Sequence, residues 1–325
     1  MTVWVTAAVL TAAVTHAGWN AMAHTIKDQV IAFTLIAGGA AVMGALLAPF
    51  VPFPQAGAWP YLIVSALVHV GYQALLMRSF SLGDFGQMYP IARGTAPLVV
   101  TVLAALFVDE RIGGWQLAGV VLASAGLVGL ALWGILPLGP GAREVPPPLG
   151  AGAREVPPPL GPGAREVPPP LAREVPAGGR GRRPRWPALL AAVATGLSIA
   201  AYTVVDGVGV RASGTPIGYV TWLLLLQGTL VPAYALYVHR GALGARLRPY
   251  LARGLLGAAM SMAAYGLVLW AQTRAPLAPI ATLRESSIIV GAAIGALLFK
   301  ERFGLPRIAA AALMVVGIGL MLKAS

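Results

Sequence analysis

The sequence predicts an all-α integral membrane protein, with ten transmembrane helices arranged as two inverted five-helix repeats. Of its 325 residues, 58% are apolar and only 10% are charged, which is far from the balance of a soluble domain. One pattern also occurs twice at an offset of 191 residues: an arginine inside an apolar helix, then Glu-Arg just beyond that helix's end. Ten of the 34 residues in 93–126 are identical to their counterparts in 284–317, which indicates an internal duplication.

Ten apolar stretches approach the length of about 20 residues that a helix needs to cross a bilayer. The first five are residues 2–22, 30–50, 58–78, 86–107 and 115–135, and the second five are 187–206, 217–238, 252–271, 277–298 and 306–323. Because five is an odd number, the second half is expected to be inverted relative to the first. The predicted units are therefore a first repeat over 1–136, a linker over 137–186 and a second repeat over 187–325.

The segment between the halves repeats Gly-Ala-Arg-Glu-Val-Pro-Pro-Pro-Leu and ends in a cluster of arginines. Proline runs favour an extended chain, and this composition has little apolar surface to bury. We interpret the segment as a disordered linker, with a docking segment for a partner as the alternative.

Composition also excludes several classes of function. The chain has no cysteine and four scattered histidines, so neither a disulfide nor a metal site nor a cofactor is expected. The net charge of +12 does not indicate nucleic-acid binding, because most basic residues lie in loops between apolar helices. No GxxxxGK[ST] motif is present, which excludes a built-in ATP-driven motor.

The orientation of the chain in the membrane can be predicted from the Lys and Arg residues in its loops. If the amino terminus faces outside, the cytoplasmic segments carry 17 Lys and Arg residues and the outer segments carry four. The positive-inside rule would then place both termini outside and the linker in the cytoplasm.

Two stretches carry a family resemblance. The first runs from Tyr89-Pro90-Ile91-Ala92-Arg93-Gly94 through Asp109-Glu110-Arg111 to Gly126, and the second from Ala278-Pro279-Ile280 through Leu283-Arg284-Glu285 and Lys300-Glu301-Arg302 to Gly317. This arrangement resembles the EamA-type repeat of the drug/metabolite transporter superfamily. The resemblance implies a ten-helix bundle with a central cavity that moves small metabolites across the plasma (inner) membrane. Such families generally place both termini in the cytoplasm, opposite to the charge count, so the orientation stays open.

Arg93 and Arg284 are the leading site candidates. Each lies seven residues into its predicted helix, about 10 Å deep, where a charge is costly unless it meets a wet cavity or a partner. The pair could recognise a carboxylate or a phosphate, for which guanidinium supplies forked donors. Alternatively, each arginine pairs with an acid or a carbonyl and locks helices together.

Glu285 and Asp206 are the acids inside the predicted spans. Glu285 follows Arg284 directly, so on a helix their side chains should diverge by about 100°. It could carry a coupling proton, or it could be the partner of Arg93 from the opposite half. Asp206 is expected near the end of the sixth helix, where it could serve function, meet water or cap the helix. The Glu-Arg pairs beyond the fourth and ninth helices are expected to be exposed, and we interpret them as turn and interface structure.

Other polar and aromatic side chains could form the cavity wall. On the first helix His16, Trp19 and Asn20 are spaced to share one face, where they could contact a substrate or bond neighbouring helices. Further candidates for the wall are Tyr72, Tyr202 and Tyr265. Pro90 and Pro279 are candidate hinges for gating, because a proline in a spanning helix offers a bending point.

These observations favour a secondary transporter of a small polar metabolite, amino-acid-like or anionic, that works by alternating access between the repeats. The expected partners are this substrate, the lipid bilayer and, as an option, a coupling proton. A passive channel or a sensory membrane protein remains an alternative, and an intramembrane enzyme is less favoured. The oligomeric state is not determined by the sequence.

Overall fold

A computed structural model of the chain describes residues 1–24, 26, 28–82, 85–133, 186–290, 293 and 305–323. Every regular element in these ranges is a helix and none is a strand, which confirms the all-α prediction. The predicted linker up to residue 185 and the second Glu-Arg pair, Glu301-Arg302, lie outside the described residues.

The first half contains five long helices. They are α1 (Val3–His24), α2 (Gln29–Leu47), α3 (Trp59–Leu82), α4 (Phe85–Phe107) and α5 (Gly114–Trp133). The start of α2 is set by Asp28, whose Oδ1 accepts the backbone N–H groups of Val30 and Ile31 at 3.0 and 3.3 Å. This cap satisfies two amides that the helix itself leaves without a partner.

The second half is more divided. Its helices are α6 (Trp186–Ala212), α7 (Pro216–Gln227), α8 (Leu230–His239), the five-residue α9 (Leu243–Leu247), α10 (Leu251–Gln272), α11 (Leu277–Arg284) and α12 (Leu305–Lys323). The hydroxyl of Thr215 caps α7 by accepting the N–H of Gly218 at 3.1 Å, and Pro216 occupies the first helical position.

Three of the predicted spans differ from what the structure shows. The sixth is longer and continues to Ala212. The seventh is divided after Gln227, at Gly228, where a Cβ atom would lie only 2.5 Å from the carbonyl oxygen of Ala37 in α2. The ninth stops at Arg284, and residues 287–290 are helical again. Neighbouring backbone and local hydrogen bonding, rather than apolar composition, place these ends.

The chain is a multi-pass membrane protein. Among the described residues, five helical stretches are long and apolar enough to cross a bilayer, and three shorter apolar helices accompany them. Large apolar side chains also point outward, including Leu106, Phe107 and Trp115, which are 71%, 74% and 68% exposed. Such a surface suits contact with lipid. The count of ten spans stays a prediction.

Helix packing joins the two halves in reciprocal pairs. Helix α3 packs along α6, and α1 packs along α10. Helices α5 and α12 pack against each other, as do α2 and α7. The predicted counterparts are α1 and α6, α2 and α7, α3 and α10, and α5 and α12. Exchanging counterparts turns the pair of α3 and α6 into the pair of α10 and α1. The pairs α5 with α12 and α2 with α7 stay the same. A two-fold relation between repeats requires this pattern, although the inverted duplication itself remains a prediction.

The bundle has two ends. At one end, α4, α6 and α10 finish and α11 begins; because Glu110 contacts Arg211 and Leu277 there, we call it the latch end. At the other end, α1 and α5 finish and α2 and α6 begin; because the predicted linker follows α5 and precedes α6, we call it the linker end.

Helices α5 and α12 approach each other through glycines. A Cβ atom on Gly119 would lie 2.5 Å from the carbonyl oxygen of Gly317, and one on Gly317 would lie 2.7 Å from that of Gly119. Small residues at such contacts let membrane helices pack backbone against backbone.

We therefore expect Gly119→Ala to destabilise the protein, by about 1–3 kcal/mol, because the added methyl forces two backbones apart. The measurement is the thermal unfolding midpoint of the purified protein in detergent. Gly129→Ala is the matched control on the same helix, since nothing lies within 4 Å of a Cβ there. Equal midpoints for the two variants would contradict the packing account.

Candidate functional site

A cavity of about 140 Å³ lies between the two halves. One buried water needs about 10–15 Å³ on a comparable measure, so the cavity suits a small molecule. Seven of the predicted site residues line it: His16, Trp19, Tyr72, Arg93, Tyr202, Tyr265 and Arg284. Three others, Asn20, Asp206 and Glu285, lie behind or beside the wall.

The cavity is displaced toward the linker end. Its wall takes residues from the second half of α1 and the first half of α2, both of which face that end. Toward the latch end the bundle is filled by apolar side chains, among them Leu62, Tyr219, Leu223 and Leu269. The cavity is therefore separated from the latch end by packed core.

A buried ion pair joins the halves beside the cavity. The Nε of Arg93 in α4 lies 2.7 Å from Oε2 of Glu285, and the two side chains are 4% and 1% exposed. Arg93 also donates to Oγ of Ser287 at 3.3 Å. The pairing predicted as one alternative for Glu285 is thus present. At this burial the loss of either partner would leave an uncompensated charge.

Glu285 directly follows α11, where the backbone tightens. The amides of Glu285 and Ser286 bond the carbonyls of Thr282 and Leu283, three residues back, instead of continuing the α-helical pattern. The side chains of Arg284 and Glu285, expected to diverge by about 100°, still approach each other at their ends. The Nε of Arg284 lies 3.9 Å from Oε1 of Glu285.

Arg284 contributes the excess positive charge of this cluster. Its side chain is 7% exposed and lines the cavity, while its Nε and Nη2 atoms make no hydrogen bond within the described part of the chain. Glu285 is the one acid in contact with both arginines in that part, and its short bond is to Arg93. One carboxylate therefore faces two guanidinium groups, and Arg284 holds free donors toward the cavity.

Asp206 is buried rather than placed at a wet helix end, which corrects the sequence expectation. Because α6 continues to Ala212, the residue lies inside the bundle with no exposed surface. Its Oδ1 accepts the hydroxyl of Tyr219 at 3.0 Å, and its Oδ2 accepts the hydroxyl of Tyr265. Both phenols come from other helices, α7 and α10.

His69 extends this group to the cavity wall, and sequence reasoning missed it. Its Nε2 lies 3.3 Å from the hydroxyl of Tyr265, and its ring stacks on Tyr202 with centroids 4.0 Å apart. The available signal was Ser65 four residues before His69 in an apolar helix, a spacing that places both on one face. No comparable sequence pattern pointed to Tyr219 as a partner of Asp206.

The polar face of α1 is only partly directed at the cavity. The rings of His16 and Trp19 make an edge contact at 5.1 Å and both line the wall. The amide of Asn20 instead donates to the carbonyl of His16 in its own helix at 2.8 Å. The Asn20 side chain therefore hydrogen-bonds within α1 itself.

The predicted hinges remain predictions. The backbone of α4 is helical through Pro90, and Pro279 lies in the first turn of α11, where proline is tolerated. The irregular backbone in this region lies at residues 285–286 instead.

At the latch end, Glu110 clamps the two halves, and its expected exposure was wrong. Its Oε2 accepts the N–H of Leu277, the first residue of α11, at 2.6 Å, and its Oε1 lies 2.7 Å from Nη2 of Arg211. Arg211 in turn donates to the carbonyls of Gln272 and Ala275. The carboxylate thus caps the positive end of a helix in the opposite half. We call Glu110, Arg211 and Leu277 the latch.

Comparison with known proteins identifies the second half. Residues 186–323 match the family model of the EamA-like transporter family, which confirms the resemblance for this part of the chain. No curated protein sequence matches the chain. Among solved structures 29 chains match, and one, described only as "Crystal structure of protein", has a TM-score of 0.67 at 18% identity and 99% coverage of both chains. That likeness supports the fold.

The ion pair generates a stability prediction. Arg93→Gln and Glu285→Gln should each destabilise the protein by about 3–5 kcal/mol, because each leaves a buried charge without its partner. The double variant should lose less than the sum of the two, as measured by unfolding midpoints in a double-mutant cycle. Asp109 and Arg111 supply the control cycle, since they lie 3.8 Å apart but are 90% and 91% exposed. Strict additivity at 93 and 285 would refute the pairing.

Proposed function

Because residues 186–323 are those of an EamA-like transporter, we propose that this protein is a secondary transporter of a small organic anion in the plasma (inner) membrane. It works by alternating access, in which the two halves rock about the cavity between them. The observation that carries the proposal is the unsatisfied guanidinium of Arg284 in the wall of that cavity.

The charge of the site supports an anionic substrate. Counting the described residues alone, Glu285 neutralises Arg93 at 2.7 Å, and the remaining positive charge lies on Arg284. Among the described residues, the guanidinium of Arg284 has only the 3.9 Å contact with Glu285 and no hydrogen bond at Nε or Nη2, and a carboxylate bound in two-point fashion would satisfy these donors. We therefore expect the carboxylate of the substrate to compensate the charge of Arg284.

The remaining wall supports an apolar or aromatic group on the same molecule. Trp19, Tyr72, Tyr202 and Tyr265 line the cavity beside Phe33. Aromatic rings provide flat apolar contact area and edge-to-face partners for a ring of the substrate. We therefore assign the substrate to small acids that carry a planar apolar group.

The latch supports alternating access over a passive channel. The cavity lies toward the linker end, and the latch end is closed by packed core and by the bonds of Glu110 to Leu277 and Arg211. A channel needs a continuous path, whereas a carrier exposes its site to one side at a time. Opening the other side requires that these bonds between the halves break.

Binding of model acids tests the substrate class. Phenylacetate, phenylpyruvate and L-phenylalanine should raise the unfolding midpoint of the purified protein, because a bound ligand stabilises the folded state. Phenylacetamide and L-phenylalaninamide, which lack the carboxylate, should not. Arg284→Gln should abolish the effect of the acids while the protein still folds. Arg274→Gln is the control, since that guanidinium lies over the ring of Trp270, away from the cavity. Equal effects of amides and acids, or no effect of any acid, would overturn the assignment.

The latch can be tested without a substrate, because the chain has no cysteine of its own. Ala278→Cys places a thiol in the apolar contact of α4, α6 and α11, where Ala278 is 1% exposed. In this background Glu110→Gln should increase the rate of maleimide labelling, since the carboxylate that holds α11 is lost. Asp109→Asn, one residue away and exposed, should leave the rate unchanged. The same rate in all three proteins would show that Glu110 does not hold this end closed.

A further inference from the structure

From the group behind the cavity wall, we infer that Asp206, Tyr265 and His69 form a proton-binding chain that opens to the cavity at His69. One added proton reverses the two hydrogen bonds that join His69, Tyr265 and Asp206, while Nδ1 of His69 exchanges a donor for an acceptor at Ser65. The inference concerns proton binding by itself. Its consequence, that a proton gradient drives transport, rests on the proposed function.

The site is closed to bulk water except through the cavity. Asp206 has no exposed surface, and His69 is 6% exposed and lines the cavity together with Tyr265. Within the described ranges, no arginine or lysine pairs with Asp206. An ionised carboxylate in such a place is held by hydrogen bonds alone.

Without the added proton, the chain runs from Ser65 to Asp206. The hydroxyl of Ser65 donates to Nδ1 of His69 at 3.2 Å, and Nε2–H of His69 donates to the Tyr265 oxygen at 3.3 Å. The Tyr265 hydroxyl then donates to Oδ2 of Asp206, and Tyr219 donates to Oδ1 at 3.0 Å. The carboxylate thus accepts two phenolic hydrogens and also lies within hydrogen-bond reach of the Ser65 side chain, and the imidazole is neutral.

With the added proton, the bonds between His69, Tyr265 and Asp206 run in the opposite sense, and Nδ1 of His69 changes its partner at Ser65. A proton from cavity water binds Nδ1 of His69, the Nε2 proton passes to the Tyr265 oxygen, and the Tyr265 proton passes to Oδ2 of Asp206. One O–H bond is gained at Asp206, and His69 has exchanged tautomers. Nδ1–H now donates to the backbone carbonyl of Ser65, which lies 2.9 Å away. Ser65 therefore offers Nδ1 a donor and an acceptor, one for each state.

Few other charged groups face this chain. Helix α3 contributes His69, α7 contributes Tyr219, α10 contributes Tyr265, and α6 itself contributes Tyr202, whose ring stacks on His69. The other helices packed on α6 bring two charged groups: Arg93 on α4, paired with Glu285, and Arg284 on α11, which lies on the cavity wall and acts electrostatically on His69. The short 3₁₀ turn Ala56–Ala58 against α6 brings none.

The donor set suits a proton better than a metal cation. Hard cations take six or more oxygen ligands in most protein sites, and the oxygens of Asp206 already accept phenolic hydrogens. In the part of the chain that the structure describes, no three His, Asp or Glu residues are grouped to hold a metal.

The position of Asp206 connects its charge to the latch. The next residue, Gly207, packs so closely on Leu277 that a Cβ atom would lie 2.5 Å from Cδ2 of that leucine. Leu277 is the residue whose amide Glu110 holds. A change of charge at Asp206 therefore occurs beside the helix that must move when the latch end opens.

Infrared difference spectroscopy of the purified full chain during a pH titration tests proton binding, with the proton as the only ligand. We expect a carbonyl band of a protonated carboxylic acid that titrates in the unsubstituted protein and is lost in Asp206→Asn. Tyr265→Phe, which removes one hydroxyl, should shift the midpoint of the band. The midpoint should not depend on whether the salt is sodium or choline chloride.

Three results would overturn the inference: a spectrum unchanged by Asp206→Asn, a midpoint unchanged by Tyr265→Phe, or a midpoint that follows the sodium concentration. Should Asp206→Asn fail to fold, Tyr265→Phe and the sodium series still decide. None of these measurements involves transport, so a failure of the proposed function leaves their outcome intact.

Labelling of Ala278→Cys as a function of pH tests the connection to gating. Rates are divided by those of Asp109→Cys, an exposed position, to remove the pH dependence of the thiol reaction itself. The ratio should change with pH in the otherwise unsubstituted protein, and this change should be lost when Asp206→Asn is added. If the ratio does not change with pH in either protein, or changes equally with and without Asp206→Asn, protonation of Asp206 does not control the movement of the halves.

Discussion

The buried ion pair between Arg93 and Glu285 is the interaction on which the site depends. It ties α4 of the first half to the turn after α11 of the second, at 2.7 Å and with both groups buried. Because the single carboxylate is held by Arg93, the second guanidinium, Arg284, keeps free donors at the cavity wall.

Polar contacts between the halves occur at three depths, and each has a different chemical character. The latch is a partly exposed carboxylate that binds a helix end and an arginine. The Arg93 cluster carries an excess positive charge, and the Asp206 chain carries a buried acid without a cation beside it. Polar groups within a bilayer are costly, so their placement at the moving interface, rather than among the tightly packed glycines of α5 and α12, suits a transport role.

Much of the architecture could be predicted from the sequence, because apolar length and composition determine which segments cross a bilayer. The depth of Arg93 and Arg284 and the pairing of Glu285 with Arg93 were also accessible, since few charges lie inside the spans. The end of α11, the contacts of Glu110 and the role of His69 were not. Each depends on which helix lies opposite, such as the N–H of Leu277 for Glu110, and that information is tertiary.

Counterflow in proteoliposomes tests the central claim most directly: that a carrier built around an unsatisfied guanidinium moves an organic anion. The probe is radiolabelled phenylpyruvate, an anion at neutral pH whose charge keeps it from crossing lipid unaided, and the liposomes contain either the unsubstituted protein or Arg284→Gln. The account predicts saturable exchange in the first and none in the second, with both proteins inserted in equal amount. Flux that does not saturate, or equal exchange in the two preparations, would contradict it.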